Sequence, residues 1–329
     1  MPQPDISAQP PPSASRRKKH HHLRDVLAYG LAAAIIVYLA RGTSPRQLAA
    51  SLHHANPWLF ILASAGSLAI WFFGETFLYA KLFSYFHAPT SFREMLPVNA
   101  AQYFLQAINQ VVGGAALCVF MRQRKGVPLF AGGATLAFLG LIDFFVMAAM
   151  GLAAAVLVPS SWLGPRWYYA AGLTAGACVF AWFWLRGRPA SKLARWIYDR
   201  RSLVSFRDAR LSHYLRLTLI RLPIFAAQGF ALYFQLMSFG VHVPLIQVLA
   251  FEPAELFLSA FPITPAGLGV LQAVVILGFH SYGTRAALLT LGLAISAIGI
   301  IMRLLLGIGT AGSFARQLMR GGAAPLTAE

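Results

Sequence analysis

Acidic side chains are scarce in this sequence: 10 Asp and Glu stand against 27 Lys and Arg in 329 residues, and charged residues make up only 11%. So few charges cannot solvate the surface of a soluble domain of this size. Only two cysteines, Cys118 and Cys178, are present, and both fall in apolar runs. That excludes a disulfide framework and a cysteine zinc site. No His/Glu zinc signature, Walker loop or GxSxG elbow occurs, and AGLGV (266–270) is not a dinucleotide fingerprint. The longest stretch outside the apolar runs is 186–214, too short for a catalytic domain, so the chain reads as a non-enzyme without cofactor or metal.

Apolar residues fill the space left by these absences. They reach 58% of the chain, with a mean hydropathy of +0.62. Runs at 58–80, 129–158, 166–185, 217–239 and 286–310, with a shorter one at 26–40, match the roughly 18–20 residues needed to cross a bilayer. The fold class that follows is an all-α polytopic membrane protein. The formal charge of +17 would point to nucleic acid in a soluble protein. Here the basic residues sit in tails and loops, as orientation in a membrane requires, and no nucleic-acid partner is expected.

Residues 1–25 are rich in Pro and Ser and then basic (RRKKHHHLR), a composition expected to be disordered. The leader is too long and ARGTS too unlike a cleavage site for a signal peptide. His20, His21 and His22 read as part of a solvated basic anchor beside the membrane. Two further runs are long enough to span but broken in the middle. In 97–121 the break carries Asn109, Gln110, Gly113 and Gly114; in 245–280 it is PITPAGLG, with Pro262, Thr264, Pro265, Gly267 and Gly269.

Counting charge decides how these runs cross. If 97–121 and 245–280 are re-entrant hairpins, 20 Lys and Arg fall on one side, including the loop 186–214, and four on the other: Arg41, Arg46, Arg166 and Arg285. The positive-inside rule then gives about six transmembrane helices plus two hairpins in a domain spanning 26–312, with both the N-terminal tail and the 313–329 tail cytoplasmic. The hairpins are also related to each other. YFLQAINQVVGGA (103–115) aligns without gaps to LFLSAFPITPAGL (256–268) with four identities. Opposite orientation of the two units makes this an inverted repeat, a plan that places a transport site between the halves.

A broken helix is tolerated at membrane depth only inside protein or beside a polar cavity. The half-helix starting near Leu268 would present free amides and a positive dipole end to a phosphate or carboxylate. Pro262 and Pro265 end the preceding helix without adding orphan donors, Gly267 and Gly269 permit the turn, and Thr264 supplies a hydroxyl. Intramembrane charges are costly and mark function. Asp143 lies near mid-span, Glu252 and Glu255 share a helical face, and Glu75 joins them as a candidate for coupling or ion pairing. Arg221 and Arg303 either snorkel or face inward to hold a lipid phosphate bidentately.

FPITPAGLGVLQA resembles the signature of the lysylphosphatidylglycerol synthase transmembrane family, also called flippase-like proteins. There Pro-Ile-Thr-Pro-Gly-Gly-Leu-Gly and a glutamate are typical. Ala266 replaces the first glycine of the pair, and Gln272 stands where the glutamate is expected. The resemblance implies lipid handling in a bacterial cytoplasmic membrane, with anionic phospholipid, polyprenyl-phosphate or hopanoid-type lipids as substrates and lipid-biosynthesis enzymes as candidate partners. Only the membrane part of larger relatives is matched, so aminoacylation is not expected. Two other readings remain at this point: a proton- or ion-coupled transporter of a small solute using the acidic residues, and a non-transporting scaffold for a lipid-synthesis enzyme.

Overall fold

The computed structural model describes residues 30, 33–108, 110–158, 172, 174–179, 203–259 and 268–321. Among them every regular element is helical. After a helical stretch at 33–40 come α1 (Pro45–His54), α2 (Pro57–Phe86), α3 (Phe92–Ile108), α4 (Gln110–Lys125) and α5 (Leu129–Leu157). The second half holds α6 (Val204–Arg207), α7 (Leu211–Ser238), α8 (Leu245–Ser259), α9 (Val270–Phe279) and α10 (Arg285–Gly321).

Local chemistry sets several starts. Ser44 and Gln47 exchange side-chain and backbone hydrogen bonds ahead of α1, with Pro45 in its first turn. The Asn56 side chain accepts from the Leu59 amide to open α2. At α3, the Ser91 hydroxyl accepts from the Glu94 amide while Glu94 accepts from the Ser91 amide. This reciprocal cap starts the helix five residues before the apolar run at 97. α10 continues to Gly321 rather than ending at 312, because SFARQLM offers good helix formers and no proline.

Among the described residues, four helices are long and apolar enough to cross a membrane: α2, α5 over Leu129–Ala154, α7, and α10 over Arg285–Gly307. Of the remaining runs read as spans, 26–40 is described as helix at 33–40, and 166–185 at 172 and 174–179. The helices of the two broken runs are shorter. At about 1.5 Å per residue, α3, α4 and α8 reach roughly 22–26 Å and α9 about 15 Å, against a hydrocarbon core of about 30 Å.

Each broken run folds back on itself. α3 and α4 pack along each other, and a Cβ at Gly113 would lie 2.5 Å from Gln106 Cγ and 2.9 Å from the Gln102 carbonyl. Only glycine permits that approach. At the open end, Lys125 Nζ lies 3.1 Å from Glu94 Oε1 and donates to the Pro89 carbonyl at 2.9 Å. α8 and α9 close through Phe251 and Phe279, whose rings are 4.6 Å apart, and at their open end Tyr282 donates to Gln247.

α2 and α7 run antiparallel. The Asn56 amide meets the Ser238 carbonyl at 2.7 Å at one end, and the Tyr85 and His213 rings stack at 4.8 Å at the other. The α3–α4 pair follows α2 and opens at the Tyr85 end; the α8–α9 pair follows α7 and opens at the Ser238 end. Contacts come in matched sets: α3 packs on α10 as α8 packs on α5, α4 on α5 as α9 on α10, and α2 on α3 as α7 on α8. Gly307 has no room for a Cβ against Phe104, so α10 and α3 meet as closely as backbones allow.

Charge divides between the two ends. Arg93, Arg122, Arg124, Arg207 and Arg210 are exposed at the Tyr85 end. Arg41, Arg46 and Arg285 lie at the other, where Arg285 binds the Leu39 and Tyr38 carbonyls. The basic end is packed by His87, Thr135 and Ser205, with Thr135 Oγ1 2.7 Å from His87 Nε2 and 2.5 Å from Ser205 Oγ. Burial holds the His87 imidazole below its ordinary range.

Candidate functional site

Polar side chains gather inside the bundle between α2, α3, α5, α7 and α10. By helical rise they sit roughly 15–20 Å from the basic end of a bundle about 45 Å long. The centre is Arg221 on α7, only 5% exposed. Its Nε and Nη2 donate to both oxygens of Asp143 on α5, at 2.7 and 2.8 Å, and its Nη1 lies 3.5 Å from Glu75 Oε1 on α2. Trp71 and Phe225 flank the guanidinium, with centroids 5.2 and 4.8 Å from Cζ. A planar, delocalised cation suits both contacts, the fork to a carboxylate and the stack on aromatic faces.

Hairpin α3–α4 joins this centre through Tyr103, whose hydroxyl donates to Glu75 Oε2 at 2.8 Å. One turn earlier on α3, the Asn99 amide donates to Thr76 Oγ1 and to the Phe72 carbonyl, and Gln102 donates to the Tyr79 hydroxyl. Arg303 of α10 lies over the Tyr103 ring, 6.0 Å from its centroid. Among the described residues its guanidinium makes no hydrogen bond or ion pair.

Two sequence expectations change here. Arg221 faces inward rather than snorkelling, and its guanidinium is paired with Asp143 and Glu75. The reason is the balance of charge: two buried carboxylates need a cation more than the guanidinium needs a ligand. Gly269 provides the turn before α9 with a φ of 88°, but its amide is not free. It donates to Gln272 Oε1 at 2.6 Å, while Gln272 Nε2 donates to the Gly292 carbonyl and Ser296 Oγ, each at 3.0 Å. Gln272 is fully buried and fastens the start of α9 to α10.

Of the other candidates, Pro262, Thr264, Pro265, Gly267 and Asn109 lie outside the described residues, as does Ala266. Gln110 opens α4, Gly113 is the close approach of the hairpin arms, and Gly114 faces Leu136. Glu252 and Glu255 are on one face of α8, both buried. Tyr103, Asn99, Gln102 and Tyr79 were not singled out from sequence. The i, i+3 spacing of Asn99 and Gln102 in an apolar run was the available signal; Tyr103 carried none. Among the described residues, no group of three His, Cys, Asp or Glu is placed to hold a metal.

The lysylphosphatidylglycerol synthase TM region family matches residues 26–307. The chain belongs to that family. No curated protein matches it. The family assignment covers every element that builds the polar centre, from the helical stretch at 33–40 to Gly307 on α10. It marks the chain as a multi-pass membrane protein of a lipid-related family.

Proposed function

We propose that this member of the lysylphosphatidylglycerol synthase TM region family is a lipid translocator of the bacterial cytoplasmic membrane, and not an enzyme. The observation that carries the reading is the buried polar centre inside the bundle, nearer its basic end, built where one hairpin meets the four long apolar helices. Burying charge inside a membrane bundle is costly and is kept where it serves a pathway or holds one together. Anionic, polyprenyl-phosphate or hopanoid-type lipids would pass their headgroups between the hairpin tips while the tails stay in the bilayer.

In this reading the hairpins are re-entrant and the two units form an inverted repeat. The short arms, the opposed open ends and the matched packing support it. The basic end faces the cytoplasm and both termini lie there, on the balance of arginine and lysine. Single cysteines placed at Arg122 or Arg124, in a background without Cys118 and Cys178, are expected to resist an impermeant thiol reagent in intact cells. Arg46→Cys is expected to react. Labelling of 122 from outside would overturn the orientation and the repeat together.

With Arg221 paired, Arg303 is the one of the two candidate arginines left for an anionic headgroup. In liposomes with labelled lipids, the wild type is expected to speed the transfer of at least one anionic lipid between leaflets. Arg303→Gln is expected to slow it about tenfold or more, the scale of one charge-assisted hydrogen bond of roughly 1.5–3 kcal/mol. Arg303→Lys should keep part of the activity, since it keeps the charge but not the fork. No acceleration across anionic, polyprenyl-phosphate and hopanoid lipids would sink the reading. Co-purification of a lipid-synthesis enzyme in that case would favour the scaffold.

A further inference from the structure

Four buried side-chain atoms among the described residues have no hydrogen-bond partner: Asn99 Oδ1, Gln102 Oε1, and both carboxyl oxygens of Glu252. All are oxygens, and all lie on the first arm of a hairpin, α3 or α8. For the two amides the loss is partial, because each still donates through its nitrogen. Glu252 is different. It is 0% exposed, and neither oxygen is bonded.

Among the described residues, nothing around Glu252 offers a counter-charge. On α7 the residue against it is Gly229, where a Cβ would fall 3.5 Å from Glu252 Cγ, and neighbouring Gln228 accepts from Ser67. The charged groups deeper in α7 and in α5, Arg221 and Asp143, are bound to each other. Tyr233 on α7 packs in the apolar cluster around Leu236 and Phe251. α9 carries no titratable side chain, and its Gln272 is bonded to Gly269, Gly292 and Ser296. The titratable group nearest in sequence is Glu255, three residues on along the same helix and itself buried, which adds like charge. An ionised carboxylate in such a place costs several kcal/mol, on the order of the effective penalty for any buried unpaired ion. A neutral acid there costs only its unmade hydrogen bonds.

We propose that Glu252, with Glu255 beside it, is a proton-binding site in the first arm of the second hairpin, and that its proton is exchanged as the hairpin moves. Glu252 lies about 10 Å along α8 from the hairpin's open end. Proton release requires movement that brings water or another proton acceptor to the carboxyl group, so proton exchange and hairpin motion are one event. The site thus ties transport to the proton gradient, and in that part it rests on the lipid-translocation reading.

The test has two arms on the full-length protein in liposomes. First, infrared difference spectra between neutral and alkaline pH should show a carbonyl band of a protonated carboxylic acid that is lost with rising pH, shifts in D2O and is missing in Glu252→Gln. Dicyclohexylcarbodiimide, which modifies protonated carboxyls in apolar surroundings, should label Glu252 at neutral pH and progressively less as pH rises. Glu252→Gln, the neutral isostere, should fold with unchanged thermal stability at neutral pH. Second, an imposed pH gradient should change the rate of lipid transfer at least severalfold in the wild type and not in Glu252→Gln. Absence of both band and label would overturn the proton site, whatever lipid transfer does. Band and label present with no lipid transfer would leave the proton site standing and remove the lipid reading. Equal response to the gradient in wild type and variant would overturn the coupling.

Discussion

Arg221→Ala is expected to cost about 3–5 kcal/mol, the range for breaking a buried ion pair from one side. The substitution leaves Asp143 and Glu75 as two carboxylates facing each other in the bundle with no cation between them. It also removes the guanidinium that lies against the Trp71 and Phe225 rings. Thermal denaturation in detergent should show a large fall in midpoint, and yield from membranes should drop with it. Arg221→Lys should be intermediate, because a point charge cannot make both contacts to Asp143 at once. The informative variant neutralises the whole set: Arg221→Met with Asp143→Asn and Glu75→Gln should recover most of the stability lost in Arg221→Ala. If Arg221 were instead a headgroup ligand, its loss would weaken lipid transfer and leave stability intact, and that result would return it to the substrate path.

The second large effect is expected at Gln272, where a glutamate would restore the residue typical of the family signature. Gln272 uses both ends of its amide: the oxygen takes the Gly269 amide, and the nitrogen serves Gly292 and Ser296 on α10. Gln272→Leu leaves the Gly269 amide orphaned and cuts the link to α10. At roughly 1–3 kcal/mol for the orphaned Gly269 amide plus about 1 kcal/mol for each of the two bonds to α10, it should cost about 3–5 kcal/mol. Gln272→Glu can imitate glutamine only as the neutral acid, which keeps one donor. Once ionised it sets a carboxylate against the Gly292 carbonyl. Its folded form therefore holds the proton more tightly than the unfolded chain does. Its stability should approach that of the wild type at low pH and fall as pH rises. A variant equally stable across the pH range would show that the Gln272 contacts to α10 carry little of the fold.

The long apolar helices were legible because hydropathy over 18 or more residues is a strong signal, and α2, α5, α7 and α10 fall on four of the runs read from sequence. Helix ends at Ile108 and Ser259, and new starts at Gln110 and Val270, fall within the two runs read as broken, while Gly113 and Gly114 lie inside α4. The start of α3 at Phe92 was missed because its signal is a local cap, Ser91 with Glu94, lying outside the apolar run. The extension of α10 to Gly321 was missed for a related reason: polarity was read as a tail, whereas helix propensity does not depend on being apolar.

Charge and composition alone determined that this chain is a helical, multi-pass membrane protein with two interrupted runs, since hydropathy and helix breaking act locally along the chain. Only the tertiary structure decided the roles of the buried polar residues. Arg221 is 78 residues from Asp143 and 146 from Glu75, so no spacing rule joins them. Whether a buried charge is paired depends on what folding brings within about 4 Å of it, and Coulomb energy at that range outweighs any preference written into the side chain itself. By the same rule PITPAGLG lost the Gly269 amide as a ligand donor, Arg221 became a pin, and Glu252, a coupling candidate from sequence, was left without a hydrogen-bond partner among the described residues.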